Sequence, residues 1–200
     1  MNAGGAAATI NGVQYQADRF SNGGMTNSTT DPITGASPAT LYQTERYGSF
    51  KYEVPVTNST YSLRLNFVEM YQTAAGTRLF NVTVEGQPVL QNFDLFATAG
   101  HDTAYEVIVP TVMVADGSLT IELTAEIDNA TISGFAIYSN AGGQFVQPQE
   151  PVGCDLPNSI RWTSTGAIIG PKNGDASVKD PTVVYYNNKY HVFATVWNTS

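Results

Sequence analysis

Residues 61–67 read YSLRLNF, with Tyr61, Leu63, Leu65 and Phe67 alternating with Ser62, Arg64 and Asn66. A period of two puts the first set on one face of a strand and the second on the other, so one face is buried and one solvated. Phe80, Val82 and Val84 repeat the pattern before the turn Glu85-Gly86-Gln87-Pro88, and Leu119, Ile121 and Leu123 repeat it after Asp116-Gly117. A further strand is predicted over 132–137. Each run is short and bounded by Gly, Pro, Asn or Asp, which predicts an all-β protein built as an antiparallel β-sandwich. No segment carries a helical period, and no internal repeat is found.

Composition agrees and narrows the function. Of 200 residues, 42% are hydrophobic and only 13% charged, too apolar for a disordered chain. The net charge is −8, with nine basic residues and no basic run, so a nucleic-acid partner is not expected. Low charge with 11 tyrosines suits a surface that meets neutral polar ligands such as sugars. No run has the length of a membrane span, so a soluble chain without a membrane partner is expected. MNAGGAAATINGV lacks the basic start and apolar core of an export signal. Asn27, Asn58, Asn81, Asn129 and Asn198 each begin an N-x-S/T sequon, a pattern that an Asn- and Thr-rich chain also produces by chance. Cys154 is alone in the chain. A leftover cysteine is a free thiol, an intermolecular bridge, or half of a pair whose partner lies elsewhere.

The order of these features suggests two domains. SNGGMTNSTTDPITGASPAT, residues 21–40, is a long polar stretch expected to be a functional or mobile loop. SNAGGQFVQPQEPVG, residues 139–153, is Gly-, Gln- and Pro-rich and marks the boundary. The division expected is a sandwich over 1–140, a linker over 141–153, and a second segment over 154–200. That segment finishes in two apolar, β-branched runs, TVVYY and KYHVFAT, joined by Asn187-Asn188 as a hairpin turn. A hairpin alone is marginally stable, so these residues are expected to pack poorly here.

LYQTERYGSFKYEVPV (41–56), the run from Asn66 to Glu106 containing LFNVTVEGQPVL, and DNATISGFAIY (128–138) closely resemble the malectin family. The resemblance covers roughly residues 1–138 and implies a jelly-roll-type β-sandwich that acts as a lectin or carbohydrate-binding module. A pyranose offers an apolar C–H face to an aromatic ring, and its hydroxyls need fixed donors and acceptors. By the resemblance Tyr47 and Tyr71 stack on the sugar and Asp128 binds hydroxyls. Gln72 stands where the family has an aromatic. The loop that holds the family's remaining tyrosine has none here, leaving Phe20 as the candidate substitute. From the residues alone, each tyrosine reads first as a packed strand-end ring, and Asp128 reads equally as a turn aspartate capping its own loop. His101 reads as a loop-shaping residue. No His, Cys and carboxylate cluster has metal-ligand spacing, so no metal site or other cofactor is expected.

CDLPNSIRWTSTG (154–166) and KDPTVVYYNNKYHVFA (179–194) resemble the opening of a family 62 glycoside hydrolase. The second stretch is shared more loosely with family 43. The resemblance implies an inverting α-L-arabinofuranosidase that trims arabinoxylan, built as a five-bladed β-propeller of which part of the first blade is present. It makes Asp180 the general base and pairs Cys154 with a cysteine beyond this chain. From the residues alone Asp180 reads as a turn former or strand cap. Inverting hydrolysis needs a second carboxyl group as acid, and the family's acid comes from later blades, so these 200 residues are expected to be inactive. The expectation is therefore a monomeric fragment of a secreted hemicellulose-degrading enzyme, whose sandwich binds a glucose-type oligosaccharide or hemicellulose. The alternatives are a protein-interaction module or a free-standing lectin.

Overall fold

The computed structural model of the protein describes residues 1–140 and 142–148 in full and, beyond these, the backbones of 177–186 and 189–197. The chain divides into two compact units, Met1–Gly153 and Cys154–Ser200.

The first unit contains strands β1 (Ala8–Ile10), β2 (Val13–Tyr15), β3 (Ser21–Ser28), β4 (Thr44–Pro55), β5 (Ser59–Phe67), β6 (Leu79–Val84), β7 (Gln87–Phe93), β8 (Tyr105–Val114), β9 (Ser118–Ile127), β10 (Ala130–Ile132) and β11 (Gly134–Ser139). β1 and β2 pair as a separate hairpin; of the two main sheets, the larger runs β10-β4-β9-β6-β7, with β3 also paired to β4, and the smaller runs β11-β5-β8. The strand pairings in both are antiparallel. The alternation expected from sequence is what joins the sheets. Tyr61, Leu63, Leu65 and Phe67 of β5 meet Tyr52 and Val54 of β4, Phe80 and Val82 of β6, and Leu119, Ile121 and Leu123 of β9 in one core. Tyr52, fully buried, packs edge-on to Phe135 of the opposite sheet at 5.0 Å between ring centroids and donates its hydroxyl to Asp18 Oδ1 at 2.7 Å. Its polar tip is thereby satisfied inside the sandwich. Asn11-Gly12 closes β1 to β2 with φ values of 50° and 81°, and Glu85-Gly86 closes β6 to β7 at 50° and 70°. Left-handed pairs of this kind match the twist of the strands they join.

Three local expectations change. The polar stretch 21–40 is not all loop, because its first eight residues form β3 along the edge of β4. Seven of those eight are exposed, so no apolar period betrays the strand; its cohesion comes from the β4 backbone. The strand predicted over 132–137 is two strands, because buried Ser133 carries the chain from the sheet of β10 to that of β11. A short helix, α1 (Leu95–Ala99), is capped by Asp94, whose side chain accepts from the Ala97 amide at 2.8 Å. A single 3-10 turn spans Ala39–Tyr42.

In the second unit β12 (Ser177–Tyr186) pairs antiparallel with β13 (Lys189–Trp197), ending at Tyr186 opposite Lys189. The register shifts between Lys179 and Thr182, where Asp180 and Pro181 lie. Proline has no amide hydrogen for the ladder, so an irregularity is expected at Pro181. The Asn187-Asn188 turn, Cys154 and most of the expected propeller blade lie outside the described residues.

Candidate functional site

The site grows from a break in one sheet. β4 pairs with β9 over Phe50–Pro55 and then with β10 over Arg46–Gly48. Between β9 and β10 the chain bulges out at Asp128 and Asn129, with Asp128 at φ 57°. On the other side of β4, β3 sets Asn27 opposite Glu45 and Met25 opposite Tyr47. A third segment, the turn after Phe67, brings Tyr71. Together they enclose a pocket of about 380 Å³ lined by Asn27, Glu45, Tyr47, Tyr71, Arg78, Asp128 and Asn129. That is at the small end of ligand sites.

Its two rings differ. Tyr47 is half-buried, with its hydroxyl 3.9 Å from the sulfur of Met25. Tyr71 is 73% exposed, yet its backbone is fixed, because its amide donates to Glu69 Oε1 at 3.0 Å. The Gln72 amide donates to the same oxygen at 2.9 Å. An exposed aromatic on a pinned backbone offers a flat apolar platform at little entropic cost.

The polar groups fall into those already engaged and those with capacity to spare. Glu45 is 3% exposed; Oε1 accepts from Asn27 Nδ2 at 3.1 Å and Oε2 from the Thr131 hydroxyl. At 3% exposure its remaining lone pairs face the protein interior, so Glu45 is scaffold. Asp128 accepts from Gln72 Nε2 at 2.8 Å on Oδ2 and from Asn129 Nδ2 at 2.9 Å on Oδ1, and its side chain is 31% exposed. An ionised carboxylate has about four acceptor sites, so lone pairs remain for a ligand. Behind them Arg78, 3% exposed, donates to Glu69 and, through Nη1, to the Asn129 carbonyl at 2.6 Å. Its charge is spent on Glu69 and on Asp128, 3.8 Å away. The pocket is acceptor-rich, without a free cation among its lining residues. It suits a neutral ligand bearing hydroxyl donors. A single carboxylate with spare capacity does not make the acid–base pair that glycoside cleavage requires.

Of the residues singled out from sequence, Tyr47, Tyr71 and Asp128 line this pocket, and Gln72 reaches it by holding Asp128. Phe20 does not line it. At φ 63° its ring packs against the core under the Arg19 guanidinium, 4.5 Å from the ring centroid. His101 sits behind the Tyr71 turn, with Nδ1 3.0 Å from the Gln72 carbonyl oxygen. Asp180 belongs to the second unit. Sequence reading missed Asn27, Glu45, Arg78 and Asn129. The one available signal was scarcity: in a chain with 13% charged residues, Glu69 and Arg78 each adjoin an apolar run. Among the described residues, no group of three or more His, Cys, Asp or Glu is placed to hold a metal ion.

Comparison with known proteins adds to this geometry. The Malectin domain model matches residues 1–147, and the Glycosyl hydrolase family 62 model matches residues 161–200. Malectin-A of Xenopus laevis is 33% identical over 133 residues, covering 61% of this chain and 47% of that protein. The chain thus spans about half the length of the malectins it matches. Alpha-L-arabinofuranosidase C of Cellvibrio japonicus (strain Ueda107) is 54% identical over 48 residues, which is 24% of this chain and 8% of that protein. The crystal structure of the ANX1 ectodomain from Arabidopsis thaliana superposes with a TM-score of 0.61 at 17% identity, over 68% of this chain and 46% of that one. That last likeness concerns the fold alone.

Proposed function

This chain belongs to the malectin domain family through residues 1–147, and from that membership we propose that its pocket binds a neutral sugar, a glucose-type oligosaccharide or a hemicellulose unit. The observation that carries the reading is the pairing of two phenol rings with one carboxylate of spare capacity in a single small pocket. Tyr71 and Tyr47 pack the C–H face of the sugar, and Asp128 and Asn27 take its hydroxyls.

The resemblance of residues 161–200 to family 62 supports a wider role. In this reading the sandwich is the carbohydrate-binding module of a secreted α-L-arabinofuranosidase acting on arabinoxylan. It holds the hydrolase near its polymer and raises the local substrate concentration by tethering. Asp180 is the general base of that hydrolase.

The test is affinity electrophoresis and calorimetry of the whole chain with arabinoxylan, cellobiose and maltose. Binding to at least one, weakened about tenfold or more by Tyr47→Ala and by Tyr71→Ala, is the expected result. Binding to none of these, or binding indifferent to both substitutions, overturns the proposal.

A further inference from the structure

The outer face of the three-stranded sheet carries a second cleft of about 370 Å³, which shares no lining residue with the first. Leu63, Leu65 and Phe67 of β5 enter the core, so Arg64 and Asn66 face outward. The register sets Asn66 between Gly134 and Glu106, and Arg64 opposite Ala136. Gly134 lets the 3-10 turn settle directly on the sheet, since a Cβ there would stand 2.6 Å from Leu41 Cδ1. Leu41 in that seat delivers Tyr42 to the cleft wall, where Tyr15 and Tyr138 also stand.

The hydrogen-bonding groups are already oriented. Asn66, 3% exposed, donates from Nδ2 to the Tyr42 hydroxyl at 2.8 Å, which leaves the Tyr42 proton free to donate. Asn66 Oδ1 is buried and has no hydrogen-bond partner among the described residues. A buried acceptor of this kind is costly to leave unmade. Arg64 Nη1 is 3.6 Å from Glu106 Oε2, beyond hydrogen-bond range, and the guanidinium carbon lies 5.4 Å from the centre of the Tyr138 ring. Both charges therefore keep hydrogen-bonding capacity while cancelling each other. Burial raises the Tyr42 phenol and pushes Tyr15 up to about 12, so both remain neutral near neutral pH.

We propose that this cleft is a second carbohydrate site, taking one neutral pyranose or furanose unit. The Tyr138 and Tyr15 rings form its apolar wall, Arg64, Tyr42 and Glu106 address the hydroxyls, and Asn66 positions Tyr42. A protein with net charge −8 and a self-cancelling Arg64–Glu106 pair does not favour an anionic ligand. The assignment does not depend on what the first pocket binds.

The experiment is a 1H–15N titration of the whole chain with D-glucose, D-xylose and L-arabinose, each taken to its solubility limit. Saturable shifts are expected at Asn66, Glu106 and the amides from Gly134 to Tyr138. They persist in Tyr47→Ala/Tyr71→Ala, and they need at least about tenfold more sugar in Arg64→Ala and Tyr138→Ala. Tyr138→Phe, which keeps the ring, retains them. Shifts confined to the first pocket, no shifts with any of these sugars, or cleft shifts unchanged in both Arg64→Ala and Tyr138→Ala overturn the proposal. The first pocket reports in the same spectra, so the two sites succeed or fail separately.

Discussion

Glu69 and Arg78 form a two-point ion pair buried behind the first pocket. Arg78 Nε donates to Glu69 Oε2 at 2.7 Å and Nη2 to Oε1 at 3.2 Å, with exposures of 3% and 0%. Each partner also holds a different wall. Glu69 accepts the amides of Tyr71 and Gln72, while Arg78 donates to the carbonyl of Asn129. The segments that present Tyr71 and Asp128 are tied together by these two side chains.

Removing one partner leaves the other charged and buried. Arg78→Met is expected to cost about 3–5 kcal/mol of stability, because the Glu69 carboxylate loses its compensation. Glu69→Leu/Arg78→Met should cost less than Arg78→Met alone, since neither charge is then stranded. The double variant should still lose sugar binding, because the Tyr71 turn is no longer pinned. Urea unfolding beside calorimetry checks both; an Arg78→Met protein within about 1 kcal/mol of the parent contradicts the ion pair's role.

Gln72 acts on the ligand at second hand. Its amide orients Asp128 Oδ2 from 2.8 Å, and the residue is only half-buried. Gln72→Ala is expected to weaken sugar binding by about 0.5–1.5 kcal/mol, the net worth of one hydrogen bond, with the melting temperature unchanged. A tenfold or greater loss of affinity in Asp128→Asn, beside a smaller one in Gln72→Ala, fits this order. Equal losses would make Gln72 a direct contact.

The alternation of β5, β6 and β9 was legible because each strand has one wet and one dry face, and a period of two is all that fact needs. β3 was not legible, since SNGGMTNS is almost entirely exposed and its strand character is lent by β4. The break at Ser133 was hidden for the opposite reason: residues 130–137 are buried throughout, so no alternation marks the crossing between sheets. For the pocket, the family resemblance pointed to Tyr47, Tyr71 and Asp128. Asn27 and Arg78 join them through strand register and a buried ion pair, neither of which sequence spacing encodes. Phe20 lies before β3 in the sequence, but its positive φ turns the ring toward the core.

Two sequons open onto the first pocket. Asn27 and Asn129 both line it, and the Asn27 side chain is exposed on β3. Protein made in a eukaryotic secretory host is expected to carry a glycan on Asn27 that fills the entrance and abolishes sugar binding. Thr29→Ala removes that sequon while leaving Asn27 in place, and should restore binding in the same host. Intact-mass spectrometry with calorimetry reads both effects; glycosylated Asn27 with full binding would show that the entrance lies elsewhere.

Alkaline pH should loosen the β1–β2 hairpin. The Tyr15 phenol, 8% exposed, is pushed up to about 12, chiefly by burial and then by Tyr138, Tyr42 and Glu106. Its folded value lies above the unfolded one, so the stability it contributes is complete below about pH 10 and is lost as pH rises toward 12. Two units correspond to at most about 3 kcal/mol. Tyr15→Phe should flatten the fall in stability over that window in urea titrations. An unchanged slope means that Tyr15 does not ionise with unfolding.

Gly134 tests the seating of the 3-10 turn. An added Cβ would meet Leu41 Cδ1 at 2.6 Å and the Met1 carbonyl oxygen at 2.7 Å. Leu41 is a side chain and can turn away, but the Met1 oxygen is backbone and accepts the Phe135 amide at 3.0 Å. One of the two must move. If Leu41 moves, it leaves a buried seat, and Tyr42 moves with it away from Asn66. If Met1 moves, its hydrogen bond to Phe135, near the start of the edge strand β11, is strained. Gly134→Ala is therefore expected to cost about 1–3 kcal/mol, the usual penalty for overpacking a close contact. It should also erase the sugar-induced shifts in the second cleft while sparing those around Tyr47 and Tyr71. Loss of stability with both sets of shifts intact would mean that Met1 yields and the turn stays. Loss of both sets would mean that the two sheets do not respond independently.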